Sequence, residues 1–214
     1  MTHDLDARLD RIFKADREMR LAQQEFFGTG DDSARVDAIQ RAIDGALKLS
    51  DPEDSSERLM RLADLLADLG GAKACVLLAQ LLDHDEPGVR ASAGEGLLEL
   101  GQSRYAEVAR CFEKLVDEGK ATTALSEIPY ILAELGEPGG IKLCVKLLKH
   151  AEGDIVGAAI EALASLGDPV AIKDIERLKN DRRRITVEEE LETGELTVGE
   201  LATEAVEHLR SLRD

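Results

Sequence analysis

The sequence predicts an all-α protein: an α-solenoid of about five stacked helical pairs, with an extra N-terminal helix and a small β-hairpin insertion near 185–198. The first observation is a recurrence, because the stretch LADLLADLG at 62–70 has echoes that end in Leu-Gly at 101, 136 and 167. These glycines are 31, 35 and 31 residues apart, a period typical of stacked helical pairs. The second is composition, since 43% hydrophobic but only 3% aromatic residues favour a core of closely packed aliphatic side chains.

The chain is expected to form one domain over 1–214. Its predicted parts are an N-terminal capping helix and loop (1–33), helical repeats (34–180), a hairpin insertion (181–198) and a C-terminal helix (199–214). The first helix is amphipathic, with Leu5, Leu9 and Ile12 at helical spacing. It lies outside the repeat register. We interpret it as a cap for the end of the array, with pairing to another chain as the alternative.

Turn and cap signals divide the repeats. Either Asp32 or Ser33 is expected to cap the first repeat helix, and Asp51 with Pro52 to begin the next. Leu-Gly is interpreted as a helix stop at each recurrence, so one helix should end at 101 and another begin near 103. Pro129 falls inside a predicted helix, and a kink is expected near 125–129 because proline removes a helical hydrogen bond.

The fifth repeat departs from this pattern. Its first helix is expected at about 169–180. Apolar and polar residues then alternate around 192–195, which predicts a hairpin with its turn there and its apolar side on the last helices. Thr197 and Glu200 have the spacing of a capping box for the final helix.

Charge and cysteine content narrow the function. The formal net charge is −17, which opposes nucleic-acid binding and favours a basic partner. Three cysteines are few and odd in number, as expected of a reducing compartment. The first ten residues are acidic and no apolar run approaches membrane length. We therefore expect a cytoplasmic protein without a membrane segment.

The residues at 77–101, with an apolar helix, an Asp-x-Pro-x-Val turn and an Ala- and Leu-rich helix ending in Leu-Gly, resemble HEAT repeats. The similarity is greatest to the short repeats named after phycobilisome lyases, and LGDPVAI at 166–172 shares it. The resemblance covers roughly 35–180 and the final helix. The resemblance implies first helices outside, second helices lining a concave face, and a scaffold or adaptor role.

Enzymatic relatives of this architecture are the alternative. HEAT-like di-iron hydroxylases carry repeated His-Glu pairs, but no histidine here precedes a glutamate. HEAT-like DNA glycosylases use a basic groove with aromatic residues, whereas this chain is acidic and has few aromatic residues. Nothing outside the repeats matches the lyases. His84 and His150 share one repeat position but are a whole repeat apart, so no metal site is expected. The sequence suggests no catalytic residue and no cofactor.

Two rows of the second helices carry the functional hypothesis. Counting back from each terminal glycine, they contain Asp64, Glu95, Tyr130 and Glu161, and then Asp68, Glu99, Glu134 and Ser165. These positions flank the apolar stripe, so stacking should align them into an acidic ladder with one tyrosine. An exposed tyrosine in such a row is typical of an interface anchor.

A basic region near the C-terminal end opposes this ladder. It contains Lys142, Lys146, Lys149, Arg182, Arg183 and Arg184. The region could bind an acidic partner or support head-to-tail self-association. An equally good explanation is that its arginines balance the acidic residues of 188–195 within the chain. Our leading hypothesis is a non-catalytic scaffold that binds a basic protein on its acidic concave face. The alternatives are an enzyme or enzyme accessory, and an element that self-assembles through its first helix.

Overall fold

The computed structural model describes residues 2–120, 122–188 and 193–212, and it confirms an all-α fold with one two-stranded hairpin. The helices are α1 (Thr2–Gly28), α2 (Asp32–Ala46), α3 (Pro52–Leu69), α4 (Ala72–Leu81), α5 (Pro87–Glu118), α6 (Thr123–Leu135), α7 (Pro138–Leu147), α8 (Gly153–Leu166), α9 (Ile172–Ile175) and α10 (Val198–Ser211). The strands are β1 (Arg184–Glu188) and β2 (Thr193–Thr197). Within these residues, no helix is long and apolar enough to cross a membrane.

The helices form two layers. In one layer α3, the first half of α5, α6, α8 and α10 pack side by side in chain order. The other layer contains α2, α4, the second half of α5, α7 and α9. One contiguous apolar cluster runs between the layers from Val36 to Leu209, because each pair covers the apolar stripe of its neighbour. This is the helical repeat solenoid that the Leu-Gly recurrence predicted.

Most of the predicted helix boundaries are correct. Asp51 accepts a hydrogen bond from the Glu53 amide at 3.0 Å, and Thr197 with Glu200 forms the predicted capping box. Gly136 and Gly167 end their helices with φ of +66° and +68°, a left-handed conformation that glycine adopts readily. The cap of α2 was misplaced by one residue, since the Asp31 carboxylate accepts from the Ala34 amide at 2.8 Å.

The helix stop at Gly101 was a wrong prediction. Helix α5 continues through Gly101, and the break in helical geometry falls at Arg104, with φ −139° and ψ 43°. A Cβ on Gly101 would lie 2.6 Å from Leu135 Cδ1, so this glycine permits close approach of α6. The expected kink near Pro129 does not interrupt α6, which runs from Thr123 to Leu135 with the proline in its buried interior.

The fifth repeat is only partly regular. Its first helix consists of α9 between two 3₁₀ turns, Pro169–Ala171 and Glu176–Leu178. Strand β1 pairs antiparallel with β2, and Ile185 lies opposite Leu196. The predicted turn at 192–195 is wrong, because Thr193 and Gly194 belong to β2 and pair with Glu188 and Val187. The chain between the strands lies outside the described residues.

Two glycines of α8 explain how the hairpin packs. A Cβ on Gly153 would be 2.9 Å from the Arg184 carbonyl oxygen, and one on Gly157 would be 3.2 Å from Ile185 Cδ1. Strand β1 therefore approaches the backbone of α8, and the Ile185 side chain is buried. The predicted packing of the apolar side of the hairpin on the last helices is confirmed.

Helix α1 contacts the body only near its C-terminal end. Phe26 and Phe27 pack against the core cluster in an edge-to-face pair with ring centroids 5.7 Å apart. Between residues 4 and 22, every side chain except Asp16 is exposed. Any capping by α1 is therefore limited to its last two turns.

Candidate functional site

The predicted ladder lies on the layer of second helices. Asp64 and Asp68 are on α3, Glu95 and Glu99 on α5, and Tyr130 and Glu134 on α6, and all six side chains are exposed. Glu161 on α8 is half-buried. Because α3, α5, α6 and α8 pack in this order, the two rows run across the layer.

A groove of about 350 Å³ opens between α5 and α6 in the middle of these rows. Its apolar floor includes Leu82, Leu98 and Ile131, and its rim carries glutamate carboxylates. The complete lining is Leu82, Pro87, Arg90, Ala91, Gly94, Glu95, Leu98, Glu127, Tyr130, Ile131 and Glu134. The structure thus brings three of the predicted residues together, namely Glu95, Tyr130 and Glu134.

Gly94 keeps this groove open. A Cβ there would meet only Leu82 Cδ2, at 3.8 Å, which is ordinary contact distance. Gly96, two residues later, faces the core instead, where a Cβ would be 3.2 Å from Leu78 Cδ2 and 3.3 Å from the Ala67 Cβ. The two glycines of α5 therefore have different roles: one shapes the groove and the other permits helix packing.

Tyr130 connects the groove to the next helix. Its hydroxyl donates a hydrogen bond to Glu161 Oε2 at 2.5 Å, while 47% of the residue remains exposed. Burial, and then this carboxylate, raise the pKa of Tyr130 far above its usual value, so the phenol stays neutral. The ring is held upright at the groove edge as an apolar contact surface with its polar end already bonded.

Helix α1 contacts the end of the ladder that lies on α3. Gln23 Nε2 donates to the Asp68 carboxylate at 2.9 Å, and the Arg61 guanidinium donates to Gln23 Oε1 at 2.7 Å. Arg61 also donates to Asp64 at 3.3 Å. Asp64 and Asp68 are therefore joined to internal partners, and they lie outside the groove lining.

The middle of the ladder is unpaired. Within the described residues, the carboxylates of Glu95, Glu99 and Glu134 have no hydrogen-bond or ion-pair partner. The cation that lines the groove, Arg90, donates to the carbonyl oxygens of His84 and Asp85, both at 2.9 Å. This part of the surface can accept cationic groups without first breaking an internal bond.

The basic region is arranged differently. Lys146 Nζ contacts Asp117 at 2.9 Å and Glu113 at 3.3 Å on α5, and the Asp117 carboxylate raises the pKa of the lysine. Arg183 donates to the carbonyls of His150 and Ala151 at 2.7 and 2.8 Å.

Arg183 also pairs with Asp181 at 2.5 Å. Lys142, Lys149, Arg182 and Arg184 are exposed. Of the six predicted cations, Lys146 and Arg183 are therefore the ones with the internal contacts described above.

The histidines and cysteines have structural surroundings. His84 Nδ1 accepts from the Glu86 amide and His150 Nδ1 from the Glu152 amide, both at 3.1 Å, so each histidine organises the turn before a second helix. All three cysteines are free and buried, and burial raises the pKa of Cys111 to about 11 and of Cys144 to about 12. No group of three or more His, Cys, Asp or Glu side chains in the described part of the chain could hold a metal ion.

Sequence reasoning missed several groove residues. Glu127 lies nine positions before Gly136, and the equivalent positions in the other repeats hold Arg61, Ser92 and Ala158, so no repeated signal marks it. Gly94 has a low helix propensity, which does not indicate that it lines a groove. Nothing in the sequence indicated that Gln23 would reach Asp68, because the first helix is outside the repeat register.

Comparisons with known proteins assign no family to this chain. No family profile matches the chain, and no curated protein does. Among solved structures, an engineered protein is similar over 85% of both chains (17% identity, TM-score 0.39). A designed armadillo repeat protein is similar over 90% of this chain and 94% of its own, with 17% identity and a TM-score of 0.38.

Computationally designed armadillo repeat proteins for modular peptide recognition are similar over 90% of this chain and 93% of theirs, with 17% identity and a TM-score of 0.35. At TM-scores below 0.5, the peptide recognition of those designs says nothing by itself of this chain. The finer resemblance to short HEAT repeats stays a prediction.

Proposed function

We propose that this chain is a non-catalytic scaffold that binds a basic, amphipathic segment of another protein in the groove between α5 and α6. The observation that carries the proposal is an apolar floor with the unpaired carboxylates of Glu95 and Glu134 at its rim. Glu99, also unpaired, lies one helical turn beyond Glu95 on α5. Neutral partners would leave these acids unused, and acidic partners would be repelled. The free, buried thiols fit a reducing cytoplasm as the place of action.

The floor and the rim select different parts of such a segment. Leu98 and Ile131 would contact apolar side chains, since an amphipathic helix or peptide docks through its apolar face. Lysine or arginine side chains on its flanks would reach Glu95, Glu127 and Glu134. Tyr130 supplies a rigid aromatic edge, a kind of contact that is enriched where binding energy concentrates.

A direct test uses a fluorescently labelled peptide of about 16 residues with leucines at helical spacing and lysines on both flanks. We expect fluorescence anisotropy to show saturable binding to the full chain, and no binding of the same peptide with glutamate in place of lysine. Charge reversal of Glu95→Lys, Glu99→Lys and Glu134→Lys should weaken binding at least tenfold. Raising the salt concentration should also weaken it, because exposed charges are screened.

The control reverses three exposed acids elsewhere, Glu57→Lys, Glu204→Lys and Glu207→Lys. This variant has the same net charge as the groove variant, so it separates local contact from the general field of an acidic protein. Equal weakening by both variants, or unchanged binding by the groove variant, would contradict the proposed site.

A further inference from the structure

Helix α1 presents an apolar face that its own chain does not cover. The helix has 27 residues, yet Leu5, Leu9, Ile12, Phe13 and Met19 are each about half exposed or more. Contacts with the body begin at Gln23. In proteins, most of the stability of a helix comes from packing of its apolar face rather than from helix propensity.

The spacing of these residues is that of a coiled coil. Leu5, Ile12, Met19 and Phe26 recur every seven residues, and we assign them to position d. Position a then holds Leu9, Asp16 and Gln23. Phe26 and Gln23 already contact the rest of the chain. The uncovered part of the seam therefore runs from Leu5 to Met19, about 21 Å at 1.5 Å per residue.

The charges of α1 are compatible with a second copy of this helix as its partner. Its residues include six acids and five bases, a net charge of −1, so the remaining chain carries −16 of the total of −17. This nearly neutral helix fits a partner that itself has both signs of charge. Another α1 meets that requirement.

We propose that α1 pairs with α1 of a second copy of this chain, antiparallel and centred near Ile12. In an antiparallel pair, position e faces position e, so Asp6 meets Arg20 of the second copy and Phe13 meets Phe13. A parallel pair would face position e with position g, which places Phe13 near Arg8 and Arg20 near Ala15, with no ion pair. The antiparallel arrangement also puts the two acidic bodies at opposite ends of the pair, where they repel least.

The first experiment measures the mass of the full chain by analytical ultracentrifugation over a range of concentrations. We expect a reversible dimer of 46.6 kDa, twice the 23.3 kDa of one chain. Ile12→Asp should shift the population to monomer. The matched control is Val170→Asp, because Val170 is 64% exposed and Ile12 60% exposed, and this variant should remain dimeric.

A second experiment fixes the orientation by cross-linking. In an antiparallel pair position a faces position d, so Leu9 lies opposite Met19 of the second copy. Leu9→Cys together with Met19→Cys should form an intermolecular disulfide under mild oxidation, whereas Leu9→Cys alone should not. The three native cysteines are buried, so they do not compete. Efficient cross-linking by Leu9→Cys alone would indicate a parallel pair and overturn the antiparallel proposal.

Two other outcomes would overturn α1 pairing itself. A chain that is monomeric up to about 0.5 mM, or a dimer that persists in Ile12→Asp, would exclude the seam. A dimer that survives Ile12→Asp but is lost on charge reversal at Glu95 and Glu134 would place an interface in the groove instead. The proposal is independent of peptide binding by the groove, so either can fail alone.

Discussion

The acidic groove and the basic C-terminal region have opposite charges, and they differ in how far those charges have partners within the chain. Glu95, Glu99 and Glu134 have no side-chain partner among the described residues. In contrast, Arg183 bonds to Asp181 and to two carbonyls, and Lys146 contacts Glu113 and Asp117. Lys146 and Arg183 hold elements of the fold together, whereas these three acids face solvent.

The unpaired acids do not contribute to the stability of the fold. Glu95 and Glu99 are four residues apart on one helix face, and like charges at that spacing destabilise a helix by a few tenths of a kcal/mol. Their arrangement therefore costs stability rather than adding to it. We propose that the middle of the ladder differs from the basic region because it binds a cationic segment.

The largest expected effect is at the basic end. Arg183→Ala removes charged hydrogen bonds to Asp181, His150 and Ala151, and we expect the free energy of unfolding in urea to fall by about 2–3 kcal/mol. Arg182→Ala is the neighbouring control, because Arg182 is exposed, and should change it by less than about 0.5 kcal/mol. Equal effects would show that Arg183 is not a structural residue.

The partner of Arg183 should give a pH signature. The arginine lowers the pKa of Asp181 below its ordinary value of 3.8, so the ionised form is favoured in the folded state. The resulting stability is complete above 3.8 and is lost as the pH falls through the folded value. Asp181→Asn should lower the free energy of unfolding by about 1.5 kcal/mol at pH 7, and the gap to the native chain should narrow below pH 4.

Alanine substitution should have opposite effects on stability at two glycines of α5, one in the groove and one that packs against α6. Gly94→Ala should raise stability by about that amount, because alanine favours the helix and its Cβ meets nothing closer than 3.8 Å. Gly101→Ala should lower stability by about 1–2 kcal/mol, because its Cβ would collide with Leu135 at 2.6 Å. Thermal unfolding of both variants measures the difference, and a matching sign would contradict the assigned roles.

The smallest effect is within the ladder. Glu99→Gln relieves repulsion with Glu95 and should raise the free energy of unfolding by about 0.3 kcal/mol, while weakening binding of the basic peptide. Opposite changes in stability and binding are expected of a functional residue. Loss of both would indicate that Glu99 supports the fold.

The repeat architecture could be predicted because its signal recurs, and the exceptions have physical reasons. Leu-Gly marked the stops at Gly136 and Gly167, but the same pair at Gly101 serves the close approach of Leu135. Sequence alone does not separate a glycine needed for positive φ from one needed for space. The hairpin turn was misplaced for a similar reason, since Thr193 and Gly194 have turn composition yet lie in β2.

The candidate site was partly predictable. Counting from the terminal glycines found Glu95, Tyr130 and Glu134, because surface rows repeat with the helices. It could not show that Asp64 and Asp68 bond to Arg61 and Gln23. It also could not show that Lys146 and Arg183 make internal contacts, because these depend on how distant parts of the chain meet.

The most direct measurement is an NMR titration of the ¹⁵N-labelled full chain with the basic amphipathic peptide. The amide shifts that change should map to 87–98 of α5 and 127–134 of α6, on either side of the groove. Shifts confined to 142–184, or spread evenly over the acidic surface, would contradict a binding groove between these helices.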